Sequence, residues 1–327
     1  MDIIFTTLAC LGAALMLYMT YVAFDFLSLH FLLPSRPLQV YKRSGPDPTY
    51  ALITGGSAGI GLGIAQELIR QGFGVVLLGH LADELAQTEK ALRRAWPSAS
   101  VYSVVMDAQT ATGSELDVMI ERLNDYQISI LVNNVGGCPI APPTFRTLGD
   151  YSCRDIDALI NQNTRFMAQL TARMMPTLSR GPAQPGERSL IINMSSGACV
   201  GVPYQVMYSA CKAFNLSLSC GLARELGASS STNHIDCIAL NPGDVHSQGN
   251  CRGLPRNTPK WDEFGSCAVK TIDGAVRRNM RTLSPYWLHD LQQRILPYLS
   301  EAFLSRELGE TMSAKKRVWD AHDEKSR

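Results

Sequence analysis

Apolar residues run almost unbroken over positions 3–24, and after Asp25 the apolar character resumes as far as Leu33. At about 1.5 Å of rise per residue, that run is long enough to cross a bilayer as a helix. Beyond it the pattern changes. Short apolar runs of strand length alternate with longer stretches whose apolar residues recur at helical spacing, the signature of a parallel sheet covered on both faces. Strands are predicted at 50–54, 75–78, 101–105 and 128–132, with a fifth ending at 192–194, and helices at 60–71, from 83 to before Pro97, and at 155–175. Residues 180–187 are rich in turn formers and read as an exposed loop.

The pattern divides the chain into an anchor at 1–33, a linker at 34–48, an α/β domain at 49–282 and a helical extension at 283–327. Pro34, Pro37, Pro46 and Pro48 make the linker short and stiff. A cleaved signal peptide is the competing reading of the N-terminus. It is disfavoured because Asp2 stands where a basic residue is usual and the apolar stretch exceeds a typical signal core. Arg36, Lys42 and Arg43 follow the span closely, and the positive-inside rule then places the rest of the chain in the cytosol.

Composition narrows the classes. With 327 residues and 46% hydrophobic content, the chain can bury one substantial core. A net charge of +1, spread along the chain, argues against a nucleic-acid surface. The nine cysteines form no Cys-x-x-Cys pair and no metal-like cluster with the six histidines, so they read as reduced thiols and no metal is expected.

Two motifs carry chemistry. Thr54-Gly55-Gly56-Ser57-Ala58-Gly59-Ile60-Gly61 lies between an apolar run and a helical pattern. Glycines there let a pyrophosphate approach the backbone, and the helix N-terminus adds free N–H groups and partial positive charge. Tyr208 and Lys212 are spaced i,i+4, so on a helix they share a face. An ammonium there would stabilise the phenolate and bring the phenol into range for acid–base work.

With these motifs in place the chain resembles the short-chain dehydrogenase/reductase family. The glycine turn matches that family's Thr-Gly-x-x-x-Gly-x-Gly, and Asn133-Asn134-Val135-Gly136 its Asn-Asn-x-Gly. Asn163 falls where the family has a catalytic asparagine, and residues 192–196 match the strand ending in the catalytic serine. Tyr208 and Lys212 match the catalytic pair, and Asn241-Pro242-Gly243-Asp244-Val245 the turn beside the nicotinamide. The resemblance implies an α/β, Rossmann-like doubly wound parallel sheet forming a single catalytic domain, here behind an N-terminal transmembrane helix.

It also implies roles. Asn163, Ser196, Tyr208 and Lys212 would be catalytic. Gly55, Ser57, Gly59, Ile60, Gly61, His80, Asp107, Asn133, Asn134, Tyr208, Lys212 and Val245 would line the cofactor site. Tyr208 would give a proton to a carbonyl oxygen that a serine also binds; Lys212 would lower the tyrosine pKa and hold the nicotinamide ribose; Asn163 would hold a relay water. Two registers compete for the serine: counting thirteen residues back from Tyr208 reaches Ser195, whereas matching the strand end selects Ser196. The strand match is preferred, because a packed strand holds its register and the following loop absorbs a missing residue more easily.

NADP(H) is the expected cofactor. An NAD site normally places a carboxylate about 20 residues past the glycine turn; here Gly79 stands there, followed by His80, which can donate to a 2′-phosphate or be a plain surface residue. The apolar N-terminus, the Asn-Asn-Val-Gly form and residues 286–297 resemble the membrane-bound branch with very-long-chain 3-oxoacyl-CoA reductases and 17β-hydroxysteroid dehydrogenases. That branch implies an apolar or acyl-CoA substrate, a single-pass protein of the endoplasmic reticulum membrane with a cytosolic catalytic domain, and leaves a homodimer open. Residues 286–304 read either as an amphipathic lid against the membrane or as an ordinary helix pair completing the core. A 3-ketodihydrosphingosine reductase, a ketone reductase of specialised metabolism and, from a different class, a catalytically silent NADP-binding membrane scaffold are the alternatives.

Overall fold

A computed structural model describes residues 2–32, 37–138, 142–180, 184 and 186–324. Pro34 and Arg36, and most of the turn-rich stretch after Arg180, lie outside the described residues. In chain order the helices are α1 (Asp2–Leu27), α2 (Gly59–Arg70), α3 (Ala82–Ala95), α4 (Gly113–Arg122), α5 (Cys153–Ile160), α6 (Phe166–Ser179), α7 (Val206–Ala228), α8 (Trp261–Arg277), α9 (Trp287–Ile295) and α10 (Glu301–Asp323). The strands are β1 (Thr49–Thr54), β2 (Gly74–Gly79), β3 (Val101–Val105), β4 (Gln127–Asn133), β5 (Ser189–Met194), β6 (Ile235–Leu240) and β7 (Thr282–Leu283).

The strands read as continuous apolar runs because both faces of the sheet are covered. Ala51 and Ile53 of β1 with Val75 and Leu77 of β2 enter one core, beneath α2 and α8. Their neighbours Leu52, Val76 and Leu78 enter the other, beneath α4 and α6. Among the described residues seven strands pair in parallel in the order β3-β2-β1-β4-β5-β6-β7. The order reverses between β1 and β4, and the crevice at the carboxyl ends of these strands is where such sheets bind ligands. This is a Rossmann-like doubly wound fold.

Helices α2 and α8 meet backbone to backbone. A Cβ on Gly265 would come within 2.3 Å of the Gly63 carbonyl carbon, and one on Gly63 within 2.4 Å of the Trp261 oxygen. Between α5 and α6 the helix widens over Asn161–Arg165 into a π turn, so the single long helix expected at 155–175 is three continuous pieces. The short β7 crosses the boundary expected at residue 282, tying the C-terminal extension into the sheet.

The proline-rich segment after the anchor is not a free linker. Leu38 and Tyr41 are buried, the Tyr41 hydroxyl donates to Asp236, and Arg43 donates to the Arg188 carbonyl and to Ser189. Prolines stiffen the chain, but the large apolar surfaces of Leu38 and Tyr41 draw it onto the domain. Helix α1 is the reverse case: its apolar side chains face outward, with Ile3 83% and Leu17 71% exposed, so it is not the core helix of a water-soluble domain.

Candidate active site

The glycine turn follows β1 at the point where the sheet order reverses. Gly55 and Gly59 adopt φ of +62° and +56°, a region that side chains avoid. A Cβ on Gly61 would lie 2.2 Å from the Gly55 oxygen. Helix α2 opens at Gly59 with no side chain capping its N-terminus, leaving its first N–H groups for a ligand. Ile60 packs against the core beside the turn. The residues therefore fit a dinucleotide pyrophosphate: the cradle closes if a Cβ is added, and no side chain among the described residues caps the helix end.

Asn134 holds the turn in place. Its side-chain amide donates to the Thr54 and Gly55 carbonyls, while the backbone N–H groups of Asn134 and Val135 donate to the Thr54 hydroxyl. Asn133, expected at the cofactor face, is instead buried in the core, where it donates to Thr171 and Asn193 and stitches β4 to β5 and α6. Strand alternation explains the correction: adjacent asparagines at a strand end point to opposite faces. Val245 is likewise buried in the core beneath the turn beginning at Asn241. Asp107 is exposed after β3, its carboxylate accepting from the Gln109 N–H. His80 is exposed at the end of β2.

Next to Gly79 lies a group that sequence reading missed. Ser57 of the glycine turn donates to the Glu84 carboxylate at 2.5 Å, and a Cβ on Gly79 would sit 3.5 Å from the Ser57 hydroxyl. Thus a carboxylate from the first turn of α3 stands beside the end of β2. An acidic residue in a helix's first turn is a legible signal, but its reach back to Ser57 is not.

Four side chains converge at the ends of β4 and β5. Ser195 is buried and donates to the Lys212 carbonyl, anchoring α7 to β5. Ser196 faces the other way: it accepts from the Ala198 N–H and lies close enough to the Tyr208 phenol to pull its pKa down. Lys212 is buried with its ammonium donating to the Met194 carbonyl, 5.5 Å from the centre of the Tyr208 ring. The Asn163 amide, on the π turn, accepts from the Gly137 N–H and donates to the Gly137 and Leu159 carbonyls. A Cβ on Gly136 would meet Asn163 Oδ1 at 2.7 Å and Lys212 Nζ at 2.9 Å, so glycine is required where these groups meet.

The electrostatics differ from the expectation that Lys212 lowers the Tyr208 pKa. Burial pushes the Tyr208 phenol well above its ordinary value; Cys138 adds to the rise, and Ser196 pulls against it. Burial pushes Lys212 down to about 8. Desolvation is the largest cause of both shifts.

The site is roofed by α10. Lys315 bonds Asp244 of the Asn-Pro-Gly-Asp turn, Lys316 lies 6.0 Å over the Tyr204 ring, and Met312 and Trp319 pack with Phe145 and Val202. Of the region expected as lid or core helix pair, α9 touches the turn itself: Gln293 exchanges hydrogen bonds with Asn241, and His289 lies against Gly243.

Residues 49–252 match the family described as short chain dehydrogenase. A very-long-chain 3-oxoacyl-CoA reductase of Coccidioides immitis is 32% identical over 264 residues, covering 80% of this chain and 72% of the relative. A Caenorhabditis elegans protein named as a steroid dehydrogenase is 26% identical, covering 92% of this chain and 91% of its own. Among solved structures, a short-chain dehydrogenase from Sphingobium yanoikuyae in complex with NADPH superimposes with a TM-score of 0.60 at 26% identity, covering 78% of this chain and 97% of that one. With the glycine cradle and the serine–tyrosine–lysine–asparagine cluster on one sheet, these matches make the chain a member of the short-chain dehydrogenase family, an oxidoreductase that uses a nicotinamide cofactor on C=O and CH–OH groups.

Proposed function

We propose that the protein is a membrane-anchored reductase that uses NADPH to reduce a ketone on an apolar substrate, a 3-oxoacyl-CoA or a steroid-like lipid. One observation carries the reading: a proton-donor cluster of Ser196 and Tyr208 sits in a domain whose N-terminal helix exposes an apolar surface of membrane-spanning length. An anchored site meets a substrate that partitions into the bilayer. The fungal relative named as a very-long-chain 3-oxoacyl-CoA reductase supports the acyl-CoA arm. Lys42 and Arg43, which follow the span closely in the chain, support a cytosolic domain facing the endoplasmic reticulum surface.

The cofactor supplies a hydride to the carbonyl carbon when bound in the glycine cradle. Tyr208 delivers the balancing proton to the carbonyl oxygen, and its raised pKa keeps that proton on the phenol until it is needed. Ser196 hydrogen-bonds the same oxygen as charge develops. Lys212 and Asn163 line the floor beneath, where the lysine would hold the cofactor ribose and the asparagine would hold a relay water. Ser195, committed to the Lys212 carbonyl, orients α7.

NADH use is a second reading, favoured by the Glu84 carboxylate beside Gly79 and Ser57, which would repel a 2′-phosphate. NADPH is preferred because His80 is free to meet that phosphate and the Sphingobium neighbour holds NADPH. The test is to incubate detergent-solubilised protein with NADPH or NADH and a panel of 3-oxoacyl-CoAs, ketosteroids and 3-ketodihydrosphingosine. Oxidation of NADPH with acyl-CoAs or ketosteroids supports the proposal. Turnover only with 3-ketodihydrosphingosine, or a preference for NADH, replaces it.

A further inference from the structure

The base of the anchor and the catalytic domain enclose a cavity of about 370 Å³, within the size range of small-molecule sites and sharing no lining residue with the glycine turn. The anchor contributes residues Ser28 to Phe31; α8 contributes Lys270 and Arg277, Arg278 follows it, and the start of α9 contributes Trp287. Among the described residues, Glu263 is the one acidic residue in the lining. Arg278 donates to Asp25 and Ser28 and holds the anchor in place, while Arg277 pairs with Asp273. Lys270 is exposed at the cavity and forms no ion pair among the described residues.

Depth identifies the occupant. Residues 3–24 form a helix about 33 Å long, which fills a hydrocarbon core of about 30 Å. Ser28 begins about 6 Å beyond Phe24 along the axis, within the layer of lipid phosphates. Phe31 and Trp287, with ring centres 6.0 Å apart and both exposed, stand at the same level, where interfacial aromatics gather. A cavity lined by Lys270 and by Arg277 and Arg278, the arginines paired with Asp273 and Asp25, and closed by an aromatic edge is thus held at phosphate depth.

Resting on the membrane-anchored reading above, we propose that this cavity binds the phosphate headgroup of an anionic phospholipid, with Lys270 and Arg277 as its charged contacts and Phe31 and Trp287 against the glycerol and upper acyl chain. The lipid then fills the joint between anchor and domain. Its neighbour α9 reaches both the anchor, through Asp290 to His30, and the active-site turn, through Gln293 to Asn241. Occupancy of the joint therefore bears on the placement of that turn.

The full chain is reconstituted in vesicles of phosphatidylcholine with a minor fraction of phosphatidylserine. Flotation reports anchoring, and native mass spectrometry after gentle extraction reports retained lipid. The expected result is that wild type floats and retains phosphatidylserine over phosphatidylcholine. Lys270→Ala with Arg277→Ala should float equally but retain about thirtyfold less, the scale of two interfacial charges. Arg94→Ala with Arg122→Ala, exposed and distant, serves as the charge control and keeps the lipid. Flotation with no headgroup selectivity, or with equal retention by both double variants, overturns the site and leaves the anchor standing. Displacement by millimolar inorganic phosphate shows a free-phosphate site and also overturns it. Failure to float overturns the anchored reading and the lipid site together.

Discussion

At the scale of single residues, two serines one position apart have different tasks. Ser195 donates to the Lys212 carbonyl and is buried, while Ser196 lies beside Tyr208 and pulls its pKa down. Ser196→Ala is therefore expected to lower kcat by two to three orders of magnitude, about the scale of losing one oxyanion donor. Ser195→Ala should lower kcat far less and act mainly on stability; the opposite ranking in purified variants would assign the reaction to Ser195. The pH profile separates the other two groups. Lys212, pushed down to about 8, loses its proton well before Tyr208, whose pKa burial has raised. The alkaline limb of kcat/KM should thus fall through about pH 8 and belong to the lysine, since this parameter reports the free enzyme. Lys212→Arg keeps its charge, so whatever activity it retains should lose that limb. A limb unmoved in the arginine variant would assign it elsewhere. The i,i+4 spacing of Tyr208 and Lys212 was legible in the sequence; the direction of their pKa shifts was not, because burial depends on loops and α10, which are distant in the chain.

At the scale of elements, the parts that local chemistry specifies were the legible ones. Strand, glycine turn and helix from β1 to α2 could be read from a run of apolar residues, closely spaced glycines and a helical period. The π turn around Asn163 could not, because its sequence keeps an ordinary helical period. Neither could β7, two residues long, nor the docking of Leu38 and Tyr41, where proline content pointed to a linker. The α2–α8 contact is a further example: Gly265 reads as a weak spot in a helix until its partner Gly63 is seen against it. Gly265→Ala raises helix propensity and would stabilise an isolated helix. Here the added methyl meets backbone that cannot step aside, so overpacking should win and destabilise the protein by about 1–3 kcal/mol. The urea midpoint should fall while the kcat of folded enzyme stays near wild type. An unchanged or raised midpoint would mean that α2 and α8 are not in backbone contact.

At the scale of the whole molecule, anchor and domain are joined by a polar interface at one end of an apolar helix. Asp25 pairs with Arg278 and Arg294, and His30 with Asp290, so the helix leaves the domain at a set position. The apolar run was legible from composition alone; its junction was not, because Arg278 and Arg294 lie some 250 residues further along the chain. The proposed orientation can be tested from both ends of the chain. If the C-terminal side is cytosolic, an N-terminal tag should be shielded in the lumen of the endoplasmic reticulum, and a C-terminal tag should be digested when protease is added to intact vesicles. Two glycosylation sequons, at Asn193 and Asn215, offer an internal check. Both side chains are buried: Asn193 donates to Ser219 and Asn215 to the Met194 carbonyl. In a cytosolic domain neither meets the glycosylation machinery, whereas a domain in the lumen would expose both during synthesis, before the fold closes over them. Mobility of the full chain from microsomes should therefore be unchanged by glycan removal. A glycan at Asn193 or Asn215, or protection of the C-terminal tag, would reverse the orientation and move the reductase site to the lumenal face.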